Sequence, residues 1–135
     1  MITQDWRSKL FLVLAWAQFF ILIGVATYLS LTPSPGDSFD YIWDKLLHFI
    51  CWSALLISLR LPWLMRPKFV WAAVGLFAYS IGIEFLQQLS PPRELSVLDM
   101  VANGSGIIAA YIFCRLTNPL YRYLVSQQLG LNKRR

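Results

Sequence analysis

Residues 10–31 read LFLVLAWAQFFILIGVATYLSL, and this stretch decides the fold class. Its 22 residues carry no charge, and their clearly polar side chains are Gln18, Thr27, Tyr28 and Ser30. A helix needs about 20 apolar residues to cross the roughly 30 Å hydrocarbon layer of a bilayer. We therefore predict a membrane-spanning helix over residues 10–31.

Arg7 and Lys9 precede this stretch, as basic residues would precede the apolar part of a cleaved signal peptide. Signal peptides, however, have apolar regions of about 7–15 residues and end in an A-x-A-like site. This stretch is longer, and no such site closes it. A retained helix is the better interpretation.

Three further apolar stretches follow, at about residues 40–61, 68–89 and 96–116. The segments between them hold turn residues, namely Pro33, Pro35, Gly36, Pro62, Pro67, Pro91 and Pro92. Such residues end one helix and separate it from the next. Charged residues make up only 14% of the 135 residues, against roughly 25% in soluble domains. The sequence predicts one all-α domain over 1–135, an integral membrane bundle of four transmembrane helices.

Lys and Arg residues are distributed unevenly between the two sides of this predicted bundle. Ten of the twelve lie near the amino end, around the second loop or in the carboxyl-terminal region, whereas Lys45 and Arg93 fall on the other side. Short cytoplasmic loops are enriched in Lys and Arg. Both termini are therefore predicted in the cytoplasm, with residues 117–135 as a short amphipathic tail beside the inner membrane surface.

The net charge of +5 does not indicate a nucleic-acid partner, because the basic residues flank apolar runs and form no polar face with interleaved aromatics. Membrane lipids are the expected partners, and a homo-oligomer stays open. Cys51 and Cys114 fall at different depths in apolar helices. We expect both to be reduced packing residues.

Polar residues fall in one layer near the outer ends of the second, third and fourth helices. At 1.5 Å per residue, Asp44 lies about 6 Å and His48 about 12 Å into the second helix. Glu84 lies about 7–8 Å from the exit of the third, and Asp99 and Asn103 about 4–5 and 10 Å into the fourth. An ionisable side chain in hydrocarbon costs about 2.5–3.5 kcal/mol. We expect these faces to meet in a polar pocket, with the first helix left for packing or partner contact.

Simpler roles stay open for individual residues. His48 could be a core histidine satisfied by Asp44 or Glu84. Asp99 stands three residues after Ser96, in an S-x-x-D capping box, so helix capping alone could explain it. Glu84 lies in mid-helix, away from any cap, and has the weakest explanation of this kind.

Asn103 and Gln87 could serve only as hydrogen bonds between helices, and Arg93 could simply extend toward the membrane surface. Small residues recur at every fourth position, as Ala102, Gly106 and Ala110 on the fourth helix and as Ala78 and Gly82 on the third. Such stripes allow helices in membranes to approach closely. We predict that both stripes are packing surfaces.

The ordered motifs resemble those of a known family. Residues 44–48 read DKLLH, residues 82–87 read GIEFLQ, and residues 92–106 contain R-x-x-S-x-x-D-x-x-x-N-x-x-G. Over about residues 40–115 this set is similar to the VanZ-like family of small bacterial membrane proteins. The resemblance implies a multi-pass protein of the bacterial cytoplasmic (inner) membrane, in a family named for a member that confers resistance to the glycopeptide teicoplanin. The family's signature positions map onto Asp44, Lys45, His48, Glu84, Gln87, Arg93, Asp99 and Asn103.

Binding is the leading functional hypothesis. The pocket would receive a lipid headgroup, the polar end of a lipid-linked cell-wall precursor or a glycopeptide from the outer leaflet. Lys45 and Arg93 would bind phosphate or carboxylate, and Glu84, His48 and Asn103 would orient hydroxyls or amides.

Catalysis is the alternative, with His48 as general base and His48, Glu84 and Asp99 as the catalytic candidates. No nucleophile has a motif, and one histidine with two carboxylates is a weak metal signal, so no metal and no cofactor are expected. A third hypothesis is a structural polar layer that only fixes helix register. Proton transport is weaker, because the inner halves of the spans offer no relay.

Overall fold

The computed structural model describes residues 6–32, 41–63, 69–89 and 95–128, and these residues form five helices. The helices are α1 (Trp6–Leu31), α2 (Tyr41–Trp63), α3 (Phe69–Gln87), α4 (Val97–Leu116) and α5 (Asn118–Gln128). The first four are long and apolar enough to cross a membrane. The all-α class is therefore confirmed, and so are four helices long and apolar enough to span a membrane.

Three helix ends differ from the predicted ones. α1 begins earlier, at Trp6. α2 continues through Pro62 to Trp63, because proline keeps a helical φ and removes only one hydrogen bond from this last turn. α3 ends at Gln87, and the chain leaves it through a turn in which Leu89 N donates to Leu86 O (3.0 Å). Prolines follow shortly after, and a residue before proline is biased away from helical geometry.

α2 and α4 form the central pair of the bundle and run in the same direction. α1 packs on α2, α3 packs on α4, and α5 contacts α4. A continuous apolar core lies between these helices, made of Phe19, Trp52, Leu55, Leu56, Leu59, Ala72, Ala73, Leu76, Ile107 and Ala110. This core separates the polar residues at the two ends of the bundle.

α1 is the least buried of the four long helices. Among the described residues, it contributes only Ala15 and Phe19 to the buried apolar set, and most of its large side chains are exposed. Exposed Leu, Ile and Phe side chains on a helix of this length are suited to contact with lipid tails. The sequence predicts packing or partner contact for the first helix: α1 packs on α2 and α3, and partner contact stays a prediction.

The two predicted small-residue stripes behave differently. At Gly106 the helices touch: an added Cβ would overlap the carbonyl oxygen of Phe49 and lie 3.0 Å from Ser53 Oγ. On α3, by contrast, Ala78 and Gly82 are exposed, and an added Cβ at Gly82 would meet nothing within 4 Å. The prediction of a packing stripe on α3 is wrong within this chain, because α3 turns its other face, which carries Leu76, Ser80 and Glu84, inward.

The contact at Gly106 gives a direct test of the fold. We expect Gly106→Ala to destabilise the protein by about 1–3 kcal/mol, the usual cost of overpacking, because α2 and α4 must separate to admit the methyl group. Thermal unfolding of the purified protein in detergent measures this change. Gly82→Ala is the matched control and should leave stability unchanged or slightly raised, since alanine favours helices over glycine by about 1 kcal/mol. Equal stability of the two variants would contradict the proposed close contact.

Candidate functional site

The predicted polar residues of three helices meet at one end of the bundle. Asp44, Lys45 and His48 lie in the first two turns of α2, and Asp99 and Asn103 lie at the start of α4. The two helices run in the same direction, so their amino-terminal turns are neighbours. α3 runs the opposite way and brings Glu84, near its carboxyl end, to the same level.

Lys45 joins the two aspartates of this cluster. Its Nζ donates to Asp44 Oδ2 (2.8 Å) and to Asp99 Oδ1, and it lies 3.5 Å from Ser96 Oγ. Asp99 is buried, whereas the side chain of Asp44 is 47% exposed. The ammonium group therefore bridges α2 and α4, and the phosphate-binding role predicted for Lys45 would have to compete with these two carboxylates.

Ser96 caps α4 as its position predicted, since its hydroxyl accepts from Asp99 N (3.2 Å). The reciprocal half of a capping box would direct the Asp99 carboxylate to the backbone of Ser96. Instead that carboxylate bonds Lys45. Capping thus explains the serine, and the acidic side chain has a second role between the helices.

His48, Asn103 and Glu84 form a second chain of contacts. His48 Nδ1 lies 3.0 Å from Asn103 Oδ1, and Asn103 Nδ2 donates to Glu84 Oε1 (3.3 Å). An amide oxygen can only accept a hydrogen bond, so in this arrangement His48 Nδ1 carries the proton. The hydrogen bond between helices predicted for Asn103 is present, and it connects the histidine to the buried acid.

The other ring nitrogen of His48 faces the aspartates. Nε2 lies 3.9 Å from Asp44 Oδ1 and 4.0 Å from Asp99 Oδ2. In the neutral ring, with the proton on Nδ1, this nitrogen offers a lone pair. In the charged ring, it becomes a second donor between two carboxylates. Because Nδ1 bonds Asn103, Nε2 is the ring nitrogen that remains for a ligand.

Glu84 is the most buried acid that the structure describes, with only 1% of its surface exposed. Its Oε1 meets Asn103 and lies 3.8 Å from His48 Nδ1. Its Oε2 is buried and has no hydrogen-bond partner among the described residues. A buried carboxylate oxygen without a donor is costly, so Oε2 is a place where a ligand or water donor would be stabilised.

A cavity of about 270 Å³ adjoins the cluster between α1 and α2. It is lined by Ala26, Leu29, Ser30, Asp44, Leu47, His48, Cys51 and Trp52. The side chain of His48 is 16% exposed. The His48 ring therefore separates this mostly apolar cavity from the buried contacts of Asn103 and Glu84. The sequence predicts no part of the pocket on α1, but Ala26, Leu29 and Ser30 of α1 form one wall of the cavity.

Gln87 and Arg93 stand apart from this arrangement. Gln87 is buried and donates from Nε2 to the backbone oxygen of Ser30 (2.8 Å), so it ties α3 to α1, as the simpler interpretation proposed. Its acceptor is a main-chain carbonyl that any residue would supply, and no sequence signal could have identified Ser30. Arg93 lies outside the described residues, and its predicted role stays a prediction.

One set of side chains has a spacing that could hold a metal ion. Ligand atoms of Asp44, His48 and Asp99 lie within 4.8 Å of one another. The Lys45 ammonium already bonds both of these carboxylates. The Lys45 ammonium thus neutralises the carboxylates that a metal ion would bind. These donors could hold an ion only if the Lys45 side chain moved away. The set differs from the one weighed from the sequence, in which Glu84 stood in place of Asp44.

Comparisons with known proteins identify the family. No curated protein and no solved structure matches the chain. The model of the VanZ/LLP1 family matches residues 4–118, which include all four long helices and every residue of the polar cluster. Because this match covers most of the chain and agrees with the motifs read from the sequence, the protein belongs to the VanZ/LLP1 family.

Proposed function

We propose that the polar cluster binds the polar head of an amphipathic envelope molecule in the outer leaflet of the bacterial cytoplasmic membrane. The excess of Lys and Arg near the other end of the bundle supports this orientation, with both termini in the cytoplasm. Lipid headgroups, lipid-linked cell-wall precursors and glycopeptides of the teicoplanin type are the candidate ligands. Envelope maintenance or glycopeptide resistance would follow from such binding.

The position of His48 carries the proposal. Its ring stands between an apolar cavity at the side of the bundle and the buried pair of Asn103 and Glu84. An amphipathic molecule needs such a boundary, because its apolar part and its polar head require different surroundings. Leu29, Leu47 and Trp52 line the apolar part of the cavity.

The free polar atoms of the cluster are mainly acceptors. Glu84 Oε2 has no donor among the residues described, and a neutral His48 ring with its proton on Nδ1 would add Nε2 as a second acceptor. Acceptors select ligands that present hydroxyl, amide or ammonium donors. Sugar rings and amine-bearing headgroups have these donors, and Arg93, in the outer loop by sequence, would add a contact to a phosphate.

A membrane-embedded enzyme is the second candidate. It is favoured by the contact between His48 Nδ1 and Asn103 Oδ1, which would orient the ring as a general base with Nε2 toward a substrate. The hydroxyls of Ser80 and Ser105 donate to carbonyls of their own helices, and that of Ser53 donates to Gly106 O. Water activated by His48 would therefore be the nucleophile in a hydrolysis of a lipid-linked substrate.

Binding predicts a loss of affinity when the ring is replaced. We expect His48→Gln to weaken ligand binding about tenfold, the effect of about 1.4 kcal/mol in a polar contact. The measurement is a titration of the protein in nanodiscs with phosphatidylethanolamine, a lipid-linked cell-wall precursor and teicoplanin. Ser105→Ala, an exposed change on α4 whose hydroxyl donates only to Ala102 O, is the matched control. Unchanged affinity of the glutamine variant for all three molecules would sink the binding role.

If the polar layer has only a structural role, stability and ligand binding should change in a different pattern, and variants at Asn103 can reveal it. Asn103→Leu leaves His48 Nδ1 and Glu84 Oε1 without their shared partner, so we expect a destabilisation of about 1–3 kcal/mol in thermal unfolding. Adding Glu84→Gln to this variant removes the buried carboxylate and should recover part of that stability. If the double variant regains stability and also full ligand binding, the polar layer is scaffold; if binding stays lost, the layer is a site.

The metal content of the purified protein distinguishes metal-assisted catalysis from catalysis by His48 without a metal ion. Because Lys45 bonds both aspartates, we expect elemental analysis of the purified protein to show no stoichiometric zinc, manganese or iron. Lys45→Met frees the two carboxylates beside His48, and this variant should bind Zn²⁺ more tightly than the wild type in a titration. Stoichiometric metal in the wild type would reverse the assignment of Lys45 as the internal cation.

A further inference from the structure

A second polar cluster lies at the opposite end of the bundle. It contains Arg60 near the end of α2, Gln18 of α1, Thr117 at the end of α4 and Tyr121 of α5. Arg60 follows Asp44 by 16 residues on the same helix, which is about 24 Å at 1.5 Å per residue. The two clusters are therefore separate sites, one near each membrane surface.

Arg60 is buried, with 9% of its surface exposed. Its Nη1 donates to Thr117 Oγ1 (2.8 Å), and its guanidinium carbon lies 4.0 Å from the centroid of the Tyr121 ring. An arginine near a helix end can extend its charge into water. This one instead directs its charge inward, between α4 and α5.

The guanidinium lacks an anion among the residues that the structure describes. The three described acids, Asp44, Glu84 and Asp99, all lie in the cluster at the other end. Arg60 Nη2 is buried and has no hydrogen-bond partner in the described ranges. Burying a charge without a counter-ion is expensive, and the face of an aromatic ring offsets only part of that cost.

Two more buried polar atoms beside Arg60 are without partners in the part of the chain that is described, Tyr121 Oη and Gln18 Oε1. Burial raises the pKa of the Tyr121 hydroxyl, an effect that the nearby charge of Arg60 partly opposes. The phenol therefore stays protonated and can donate. Arg60 Nη2 and the Tyr121 hydroxyl are donors suited to a phosphate oxygen. Gln18 Oε1 is an acceptor suited to a headgroup hydroxyl or amine.

A groove of about 640 Å³ extends from this cluster along α2, α4 and α5. Its lining is mostly apolar and includes Ile57, Leu61, Phe113, Leu120 and Leu124. Several of these side chains are exposed on the surface of the bundle, so the groove is open to the surrounding lipid. Its shape and chemistry match a molecule with an anionic head and a hydrocarbon tail.

We propose that this groove binds one anionic phospholipid of the cytoplasmic leaflet. The phosphate lies beside Arg60 and Tyr121, where small side-chain rotations let Arg60 Nη2 and the Tyr121 hydroxyl donate to it, and an acyl chain lies against α2, α4 and α5. This site goes beyond the proposed function, since it serves another ligand at the other membrane surface. The lipid supplies the counter-ion that the buried guanidinium lacks, and it attaches α5 to the ends of α2 and α4.

The test is lipid binding by the full-length protein in detergent, followed by native mass spectrometry. Titrations use phosphatidylglycerol and, as the zwitterionic comparison, phosphatidylcholine with the same acyl chains. We expect phosphatidylglycerol to bind about tenfold more tightly, because the choline ammonium of phosphatidylcholine already neutralises its phosphate, and we expect Arg60→Gln to abolish this preference. Arg115→Gln is the matched control, because it removes an exposed cation at the same end of the bundle and should keep the preference.

Tyr121→Phe keeps the ring under Arg60 and removes only the hydroxyl, so it tests the site even if Arg60→Gln fails to fold. We expect it to weaken phosphatidylglycerol binding about 3–10-fold, the usual effect of one hydrogen bond. Equal affinity for both lipids, or equal losses in Arg60→Gln and Arg115→Gln, would overturn the proposal. Displacement of the lipid by millimolar inorganic phosphate would assign a free-anion site instead. Asp5 directly precedes α1 in the sequence. Loss of stability in Asp5→Asn without any lipid preference would assign an internal ion pair between Arg60 and that acid.

Discussion

The close approach of α2 and α4 at Gly106 is the contact on which the rest of the structure depends. No side chain larger than hydrogen fits there, because the carbonyl of Phe49 occupies the space, and Ser53 Oγ donates to Gly106 O (2.9 Å) across the same contact. The two helices run in the same direction, so one fixed offset at this point sets their register over the whole length. That register pairs Lys45 with Asp99, His48 with Asn103 and Arg60 with Thr117.

Lipid imposes the second constraint, because polar groups inside a bilayer must find partners within the protein or on a ligand. At one end of the bundle, Lys45 satisfies two carboxylates and Asn103 connects His48 with Glu84. At the opposite end, Arg60 has a hydroxyl and an aromatic face and lacks a carboxylate among the described residues. Among the described residues, the unpartnered atom of the first cluster is the acceptor Glu84 Oε2, whereas the second cluster has the donors Arg60 Nη2 and Tyr121 Oη together with the acceptor Gln18 Oε1. An apolar core separates the two clusters.

The sequence predicts which residues lie at one level of the bundle, and its failures have physical reasons. Helix depth alone places Asp44, His48, Glu84, Asp99 and Asn103 in one layer, because 1.5 Å per residue holds for any straight helix. Helix rotation about its own axis was harder to predict, since lipid-facing and buried faces are equally apolar in this chain. For that reason the small-residue pattern predicts a contact at Gly82 that the structure does not show. The sequence indicates Arg60 only as an orientation signal, because its burial arises from Thr117 and Tyr121, more than 50 residues further along the chain.

The sequence by itself determined the number of spans, the helix-capping serine of α4, the family and the level at which the acids and the histidine lie. Hydropathy, proline positions and helix rise are local properties, and they need no knowledge of neighbouring helices. Only the tertiary structure decided which partner each polar group has: that Lys45 bridges two acids, that Gln87 turns to α1, and that Arg60 lies buried beside an open groove. These pairings depend on how whole helices are rotated and offset against each other. The backbone contact at Gly106 fixes that arrangement for α2 and α4, and the sequence of a single helix does not encode it.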